Sequence, residues 1–503
     1  MSDGPHRLKA RRLGVDTHSE AVVFLRKNSP VCRSEGFASH NRVLLCAGER
    51  RIIATLYQVE SSGFLETDEA GLSDAAWQGL AVEDGAEIVV KHSPPLESLS
   101  LIRSRIYGHD LGEDALRAIV ADIVAGRYST IEISSFITAC AARALSRSEV
   151  LGLTRAMVDA GRRLSWDAPV VVDKHSVGGI PGNRTTPIVV SIAASLGLVM
   201  PKTSSRAITS PAGTADTMET LTRVDLSAGE IRDVVQREGA CIAWGGAVGL
   251  SPADDILIRV ERALDLDTEG QMIASVLSKK IAAGATHLVL DVPFGPTAKV
   301  RSESAARKMT QGLLAVAKEF GIRARVVAGD GSQPIGRGIG PALEARDVLS
   351  VLQCAADAPA DLRARSLTLA GALLELSGRA QPGDGDALAS SALDSGRAWA
   401  KFQNICEAQG GLREPPLSKH RKPLLAPRHG VVCDIDNRKI ARLAKLAGAP
   451  EDKAAGVELH VRLGDTVVRG APVCTVHAEW PGELDYALGY AEANPDILRV
   501  TDL

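Results

Sequence analysis

The sequence predicts an α/β protein with a mainly parallel sheet lobe and a helical lobe. A small β-rich N-terminal domain and an α+β C-terminal domain flank them. Three observations carry this expectation. From Pro169 to about residue 410, short apolar runs (Val170–Val172, Leu288–Val292, Arg325–Ala328) alternate with helix-length stretches, as in a parallel sheet covered by helices. Between residues 97 and 165 no strand pattern occurs, and Leu116, Ile119, Val120, Ile123 and Val124 fall on one helical face. A chain of 503 residues is also too long for one hydrophobic core.

Taken in order, the chain opens with strand-like runs at Ala21–Leu25, Arg42–Cys46, Ile52–Leu56 and Glu87–Lys91, and a helix-like stretch at Leu72–Leu80. The pair Pro94-Pro95 marks a linker, giving a first domain over 1–93. A helical lobe is expected over 97–165, joined by 250–283, and an α/β lobe over 166–249 and 284–412. A proline-rich break (Pro415, Pro416, Pro423, Pro427) precedes a last module over 425–503, with strands at Gly430–Cys433 and Glu458–Val461. Hydrophobic residues make up 45% of the chain and charged residues 24%, with net charge −3, so no basic field points to nucleic acid. Residues 1–12 are polar and basic, unlike a secretory signal, and no uncharged run reaches the roughly 20 residues a membrane helix needs. The eight cysteines include no C-x-x-C pair, which suits free thiols in a reducing compartment better than disulfides or a zinc site. The expectation is a cytoplasmic enzyme without metal, membrane or nucleic-acid partner.

Two loops carry the chemistry. The first, Asp173-Lys174-His175-Ser176-Val177-Gly178-Gly179 and on to Thr186, follows an apolar strand and precedes an apolar helix at Ile188–Leu198. That order aims backbone N–H groups and a helix N-terminus at an anion, with Lys174, Ser176 and Thr186 adding a cation and two hydroxyls. The second, Lys202 to Glu219, is rich in Ser and Thr and holds Arg206 and Gly213 before a capping pattern. Donors without balancing carboxylates suit a phosphate and a sugar. Either loop alone would read as strand-to-helix punctuation or an N-cap. The pair within one βαβ-sized unit favours a bound anion. Neither loop has Walker spacing, and the glycines of Gly329–Gly340 do not fit G-x-G-x-x-G.

The two loops resemble those of the thymidine phosphorylase family, which carries D-K-H-S-x-G-G and S-x-R-x-x-x-x-x-x-G-T-x-D-x-x-E. Further matches stand at Ala274–Lys280, Leu290–Gly295 and Gln333–Gly336, and the likeness runs in order over residues 97 to 500. The resemblance implies phosphorolysis, in which orthophosphate replaces a base at the anomeric carbon of a pentose, with no cofactor. It implies Lys174, Ser176, Thr186, Ser204 and Thr214 around orthophosphate, with Lys174 and His175 in the catalytic set. The thymidine enzymes place an Arg in L-Y-A-x-R-D against the pyrimidine. Here Leu250-Ser251-Pro252-Ala253-Asp254-Asp255 puts the acceptor Asp254 there, which suits an amino-bearing base such as adenine. That change, the extra N-terminal module and the run Ser205-Arg206-Ala207-Ile208-Thr209-Ser210 resemble the AMP phosphorylase branch. In that branch the run, with Gly179, Thr214, Ser275, Lys279 and Lys299, would bind nucleotide, and Asp267 would donate the proton to the leaving base. The expected function is AMP phosphorolysis to adenine and ribose 1,5-bisphosphate by a homodimer or larger homo-oligomer. Thymidine phosphorolysis is the alternative, and a non-catalytic nucleotide-binding regulator a remote third.

Overall fold

The structure, a computed structural model, describes residues 7–60, 63–207, 210–264, 266 and 268–502. It forms two compact units. One holds the chain up to Ala156 together with Ala253–Thr268; the other holds Met157–Pro252 and Glu269 onward.

The first unit begins with a closed barrel of six strands: β1 (Arg7–Arg12), β2 (Val22–Arg26), β3 (Arg42–Ala47), β4 (Arg50–Val59), β5 (Glu69–Leu72) and β6 (Glu87–His92), in the order β1-β5-β2-β4-β3-β6. Closure leaves no edge. Two of these strands, β1 and β5, carry no expected strand run. β1 reads as a basic tail because its outward-facing residues are Arg7, Lys9 and Arg11. The barrel pairs these with Glu87, Asp68 and Glu69, while Leu8 and Ala10 enter the core. Helices Ser98–Ile106, Glu113–Val124, Thr130–Ala142 and Arg147–Asp159 follow. Leu116, Ile119, Val120 and Ile123 are buried as their spacing predicts. Buried Arg105 crosses this bundle and donates to Glu149 Oε1 at 2.7 Å.

The second unit holds the parallel strands β7 (Val172–Ser176), β8 (Met200–Ser204), β9 (Ala240–Trp244), β10 (His287–Phe294) and β11 (Arg323–Asp330). β11, β10 and β7 form one sheet, β8 and β9 another, and a parallel bridge at Val171 and Val199 joins them. β10 and β11 coincide with expected strands, while β7 begins at the last residue of the expected Val170–Val172 run and continues into the first loop. β8 and β9 match no expected strand, because β8 coincides with the polar start of the second loop, and tertiary burial makes Lys202, Thr203 and Ser204 strand residues. The helix Thr185–Ser195 starts three residues before the expected Ile188 and is buried along nearly its whole circumference. The helix Glu269–Ala282, expected with the helical lobe, clusters with this second unit instead. The proline-rich break contains a strand, His420–Leu425, at the edge of its sheet, where Pro423 needs no partner for a missing N–H. Gly430–Ile435 and Gly456–Leu459 form strands close to the expected positions. No described helix is long and apolar enough to cross a membrane.

Candidate active site

Asp173, Lys174 and His175 lie within β7 rather than in the turn after it, so the strand itself fixes their side chains. Lys174 is buried, and its Nζ donates to Thr185 Oγ1 at 2.7 Å and lies 3.5 Å from Thr186 Oγ1. Both threonines open the helix Thr185–Ser195, whose first N–H groups have no side-chain cap. A cation, two hydroxyls and a helix N-terminus thus meet at one point, the donor set an oxyanion requires. Burial pushes the Lys174 ammonium down to about 8, opposed chiefly by Asp291. It remains mostly charged at neutral pH.

Asp173 points the other way. Its carboxylate lies 2.8 Å from Lys280 Nζ and 3.3 Å from Lys202 Nζ, all three side chains buried. Burial raises its pKa, but the two ammonium groups outweigh that and hold it below the ordinary carboxylate range. Lys280 is in turn driven down, first by burial. His175, half-buried, has its pKa pushed well below the usual imidazole value by burial and then by Lys280, Lys202, Lys279 and Lys174. It is therefore neutral at physiological pH. The same lysines give this end of the sheet a positive field, and Lys279 belongs to it.

The two loops meet through Arg184, a residue with no role expected from the sequence. Arg184 Nη1 donates to Thr214 Oγ1 at 2.7 Å, Nη2 to the Ala212 carbonyl at 2.8 Å, and Nε to buried Glu344 at 2.6 Å. The second loop is closed by Asp216, whose Oδ2 accepts from Ala207 N at 2.6 Å and Gly213 N at 2.9 Å. Gly213 is required there, since a Cβ would stand 2.5 Å from the Ser205 carbonyl oxygen. Ser204, at the end of β8, is buried, and its Oγ has no partner among the described residues. Asn183 Nδ2 donates to Ser176 Oγ at 3.3 Å and to Asp291 at 3.1 Å. Gly179, at φ +86°, passes so close to Lys299 that a Cβ would meet its N at 2.5 Å, which brings these two expected residues together. Ser275 and Lys279 share a half-buried side of the helix Glu269–Ala282, one turn apart. Ser205 is exposed, Ala207 half-buried, and Ser210 Oγ is turned to the Ala212 carbonyl.

Two expectations need correction. Arg206 is not a spare cation for phosphate. It forms a bidentate pair with Glu219 at 2.7 and 2.8 Å, approaches Asp216, and lies 4.7 Å over the Trp244 ring. The loops also do not lack balancing carboxylates, since Asp173, Asp216, Glu219 and Glu344 neutralise much of the cationic charge. Sequence could not separate donors facing a ligand from donors facing these partners. Asp267, Ile208 and Thr209 lie outside the described residues. Asp254 is buried in the first turn of the helix Pro252–Leu264, and its position falls in the first unit. Among the described residues no group of three or more His, Cys, Asp or Glu could hold a metal ion.

Known proteins give this arrangement its family. The chain is 60% identical over 499 residues to a protein of Chelativorans sp. (strain BNC1) named "Putative thymidine phosphorylase", covering 99% of this chain and 98% of the relative. The chain belongs to the thymidine phosphorylase family. Relatives bearing the same name in Sphingopyxis alaskensis and Legionella pneumophila are 59% and 55% identical, with 99% and 98% of this chain covered and 97% and 95% of theirs. Models of the glycosyl transferase family match its helical bundle domain over 99–161 and its a/b domain over 168–399. The pyrimidine nucleoside phosphorylase C-terminal domain matches over 431–497. Thymidine phosphorylase family membership makes the protein a pentosyltransferase. Its fold is shared with anthranilate phosphoribosyltransferase from Thermus thermophilus, at TM-score 0.51 and 21% identity over 61% of this chain and 98% of that one.

Proposed function

We propose that this protein is a phosphorylase that cleaves the N-glycosidic bond of a nucleotide, AMP above all, with orthophosphate as co-substrate and no metal or other cofactor. The observation that carries phosphorolysis is buried Lys174, set against Thr185 and Thr186 at an uncapped helix N-terminus. A group so placed binds orthophosphate and holds it as nucleophile. Ser176, Ser204 and Thr214 complete the donor set, Ser204 with a buried hydroxyl that no other described residue satisfies. As the bond breaks, the pentose gains positive charge, which the phosphate oxygens balance, and the base leaves with a proton. Neutral His175 beside Lys174 can hydrogen-bond substrate without adding repulsion to the sugar cation. Asp267 is the family's candidate for the proton.

The base preference rests on Asp254. A carboxylate accepts from an exocyclic amine but repels a pyrimidine carbonyl, a difference of roughly 1–3 kcal/mol between the two bases. The pairing of Arg206 with Glu219 takes one donor out of the case for a 5′-phosphate. The resemblance offers Lys279, Lys299, Ser205 and Ser210 for that group. Thymidine phosphorolysis is the second reading, favoured by the names of the relatives. The deciding experiment mixes the enzyme and phosphate with AMP, adenosine, thymidine or uridine at equal concentration and follows free base and pentose phosphate. Faster cleavage of thymidine than of AMP refutes the Asp254 argument. Release of no base from any substrate, with nucleotide still bound, would leave a regulator.

A further inference from the structure

A buried carboxylate without a role in the readings above stands behind the phosphate loop. Asp291 lies in β10 directly opposite Ser176 in β7, its side chain fully buried. One carboxylate oxygen accepts from Asn183 Nδ2 at 3.1 Å, and the other is paired with Arg365 from the helix Ala360–Leu376. The same Asn183 nitrogen lies 3.3 Å from Ser176 Oγ, and Val177 N donates to the Asp291 carbonyl at 2.9 Å. One residue therefore ties strand, loop and phosphate-side hydroxyl together.

Its charge matters as much as its contacts. Lys174 is faced by Asp173 from its own strand, by Arg184 and the hydroxyls of Thr185 and Thr186 at the helix start, by Asp291 from β10 and by Arg365 from the helix behind it. Burial and the two guanidinium groups favour the neutral amine, and Asp291 is the strongest influence toward the ammonium, ahead of Asp173. A neutral amine at this depth could not hold a phosphate dianion as a charge.

We propose that Asp291, balanced by Arg365, is a positioning residue for the orthophosphate nucleophile, aiming Ser176 through Asn183 and setting its carboxylate on the same side of the sheet as Lys174, whose strand partner Val289 lies two residues before it. This rests on the reading that Lys174 binds orthophosphate. It acts through those three residues and touches no substrate itself.

The balance predicts shifts of opposite sign. Removing the carboxylate charge in Asp291→Asn should let Lys174 lose its proton at lower pH. Removing the guanidinium in Arg365→Gln should delay that loss. Orthophosphate binding, measured by calorimetry from pH 6.5 to 9.5 on the full-length protein, should weaken on the alkaline side with a midpoint near that of Lys174, about 8. In Asp291→Asn the midpoint should move down by about one pH unit, so that binding at pH 8 falls about fivefold. In Arg365→Gln it should move up. The ionisation of phosphate itself is common to all variants and cancels. A purely structural role would weaken binding equally at every pH and leave the midpoint in place, and that result overturns the proposal. Should Asp291→Asn fail to fold, as judged by circular dichroism, the upward shift in Arg365→Gln carries the test, and its absence is equally decisive. Lys174→Ala separates the two readings. If it binds phosphate as tightly as the wild type, the phosphate site itself is misassigned. If it loses binding while the midpoint in Asp291→Asn is unchanged, only the role of Asp291 falls.

Discussion

Replacing Lys174 by Met should abolish turnover and make the protein more stable. The folded ammonium titrates at about 8 against an ordinary lysine value of 10.5, because it is buried. A downward shift means that the unfolded chain binds the proton more tightly, so below pH 8 the native state carries the full cost of a buried charge. That difference corresponds to about 3 kcal/mol, which fades as pH rises from about 8 to 10.5. Met fills similar volume and removes that cost, but it also forfeits the contacts to Thr185 and Thr186, about 1 kcal/mol each. The net expectation at pH 7 is a gain of about 1 kcal/mol, read as a higher denaturation midpoint. Wild-type stability should climb between pH 8 and 10.5 and that of the variant should not. Meanwhile the loss of a charge-assisted contact to the nucleophile should cost about 3–4 kcal/mol in kcat/KM for phosphate, roughly a hundredfold to a thousandfold. The assay is base release under saturating nucleotide with phosphate varied, paired with thermal unfolding at pH 7 and 10. Turnover within tenfold of wild type, or a variant several kcal/mol less stable, would refute the assignment of this lysine as a strained functional cation.

Three further outcomes follow from the geometry. Gly179→Ala should lower kcat/KM about a hundredfold, because its Cβ would collide with the main chain of Lys299, whereas Gly178→Ala, at φ +92° but with open space, should cost only strain of about 1–2 kcal/mol in stability; equal kinetic effects would contradict this. Asp216→Ala leaves Ala207 N and Gly213 N without their acceptor and should raise KM for the nucleotide or nucleoside at least tenfold, with kcat changed less, as steady-state kinetics would show. Arg105→Met leaves Glu149 buried and uncompensated in the helical bundle and should destabilise the first unit by about 3–5 kcal/mol, measured by denaturant unfolding, without altering phosphate binding by the second.

Much of the fold was legible because it follows local pattern. The alternation of apolar strand and helix located β10 and β11 and the start of β7, and the 3.6-residue spacing of Leu116, Ile119, Val120 and Ile123 located a bundle helix. β8 was hidden because a fully buried strand that carries Lys202, Thr203 and Ser204 looks polar until its partners are known. β1 was hidden for the converse reason, its basic residues being the outward half of an alternating barrel strand.

The candidate site divides along the same line. The residue types and their order in Asp173–Thr186 and Lys202–Glu219 by themselves marked an anion site and a family, because glycine-rich turns, hydroxyls and a lysine have few other uses in that order. Which donors are free to bind was decided only by the tertiary structure. Lys174 and Arg206 look alike as isolated cations in polar loops, yet among the described residues the Nζ of Lys174 meets the hydroxyls of Thr185 and Thr186, while Arg206 is taken by Glu219 and Trp244. Arg184, Asp291 and Arg365 gave no sign of their roles, since their partners lie 30, 108 and 74 residues away. Charge is written in the sequence, but its neutralisation depends on distances of a few ångströms between segments that only folding brings together.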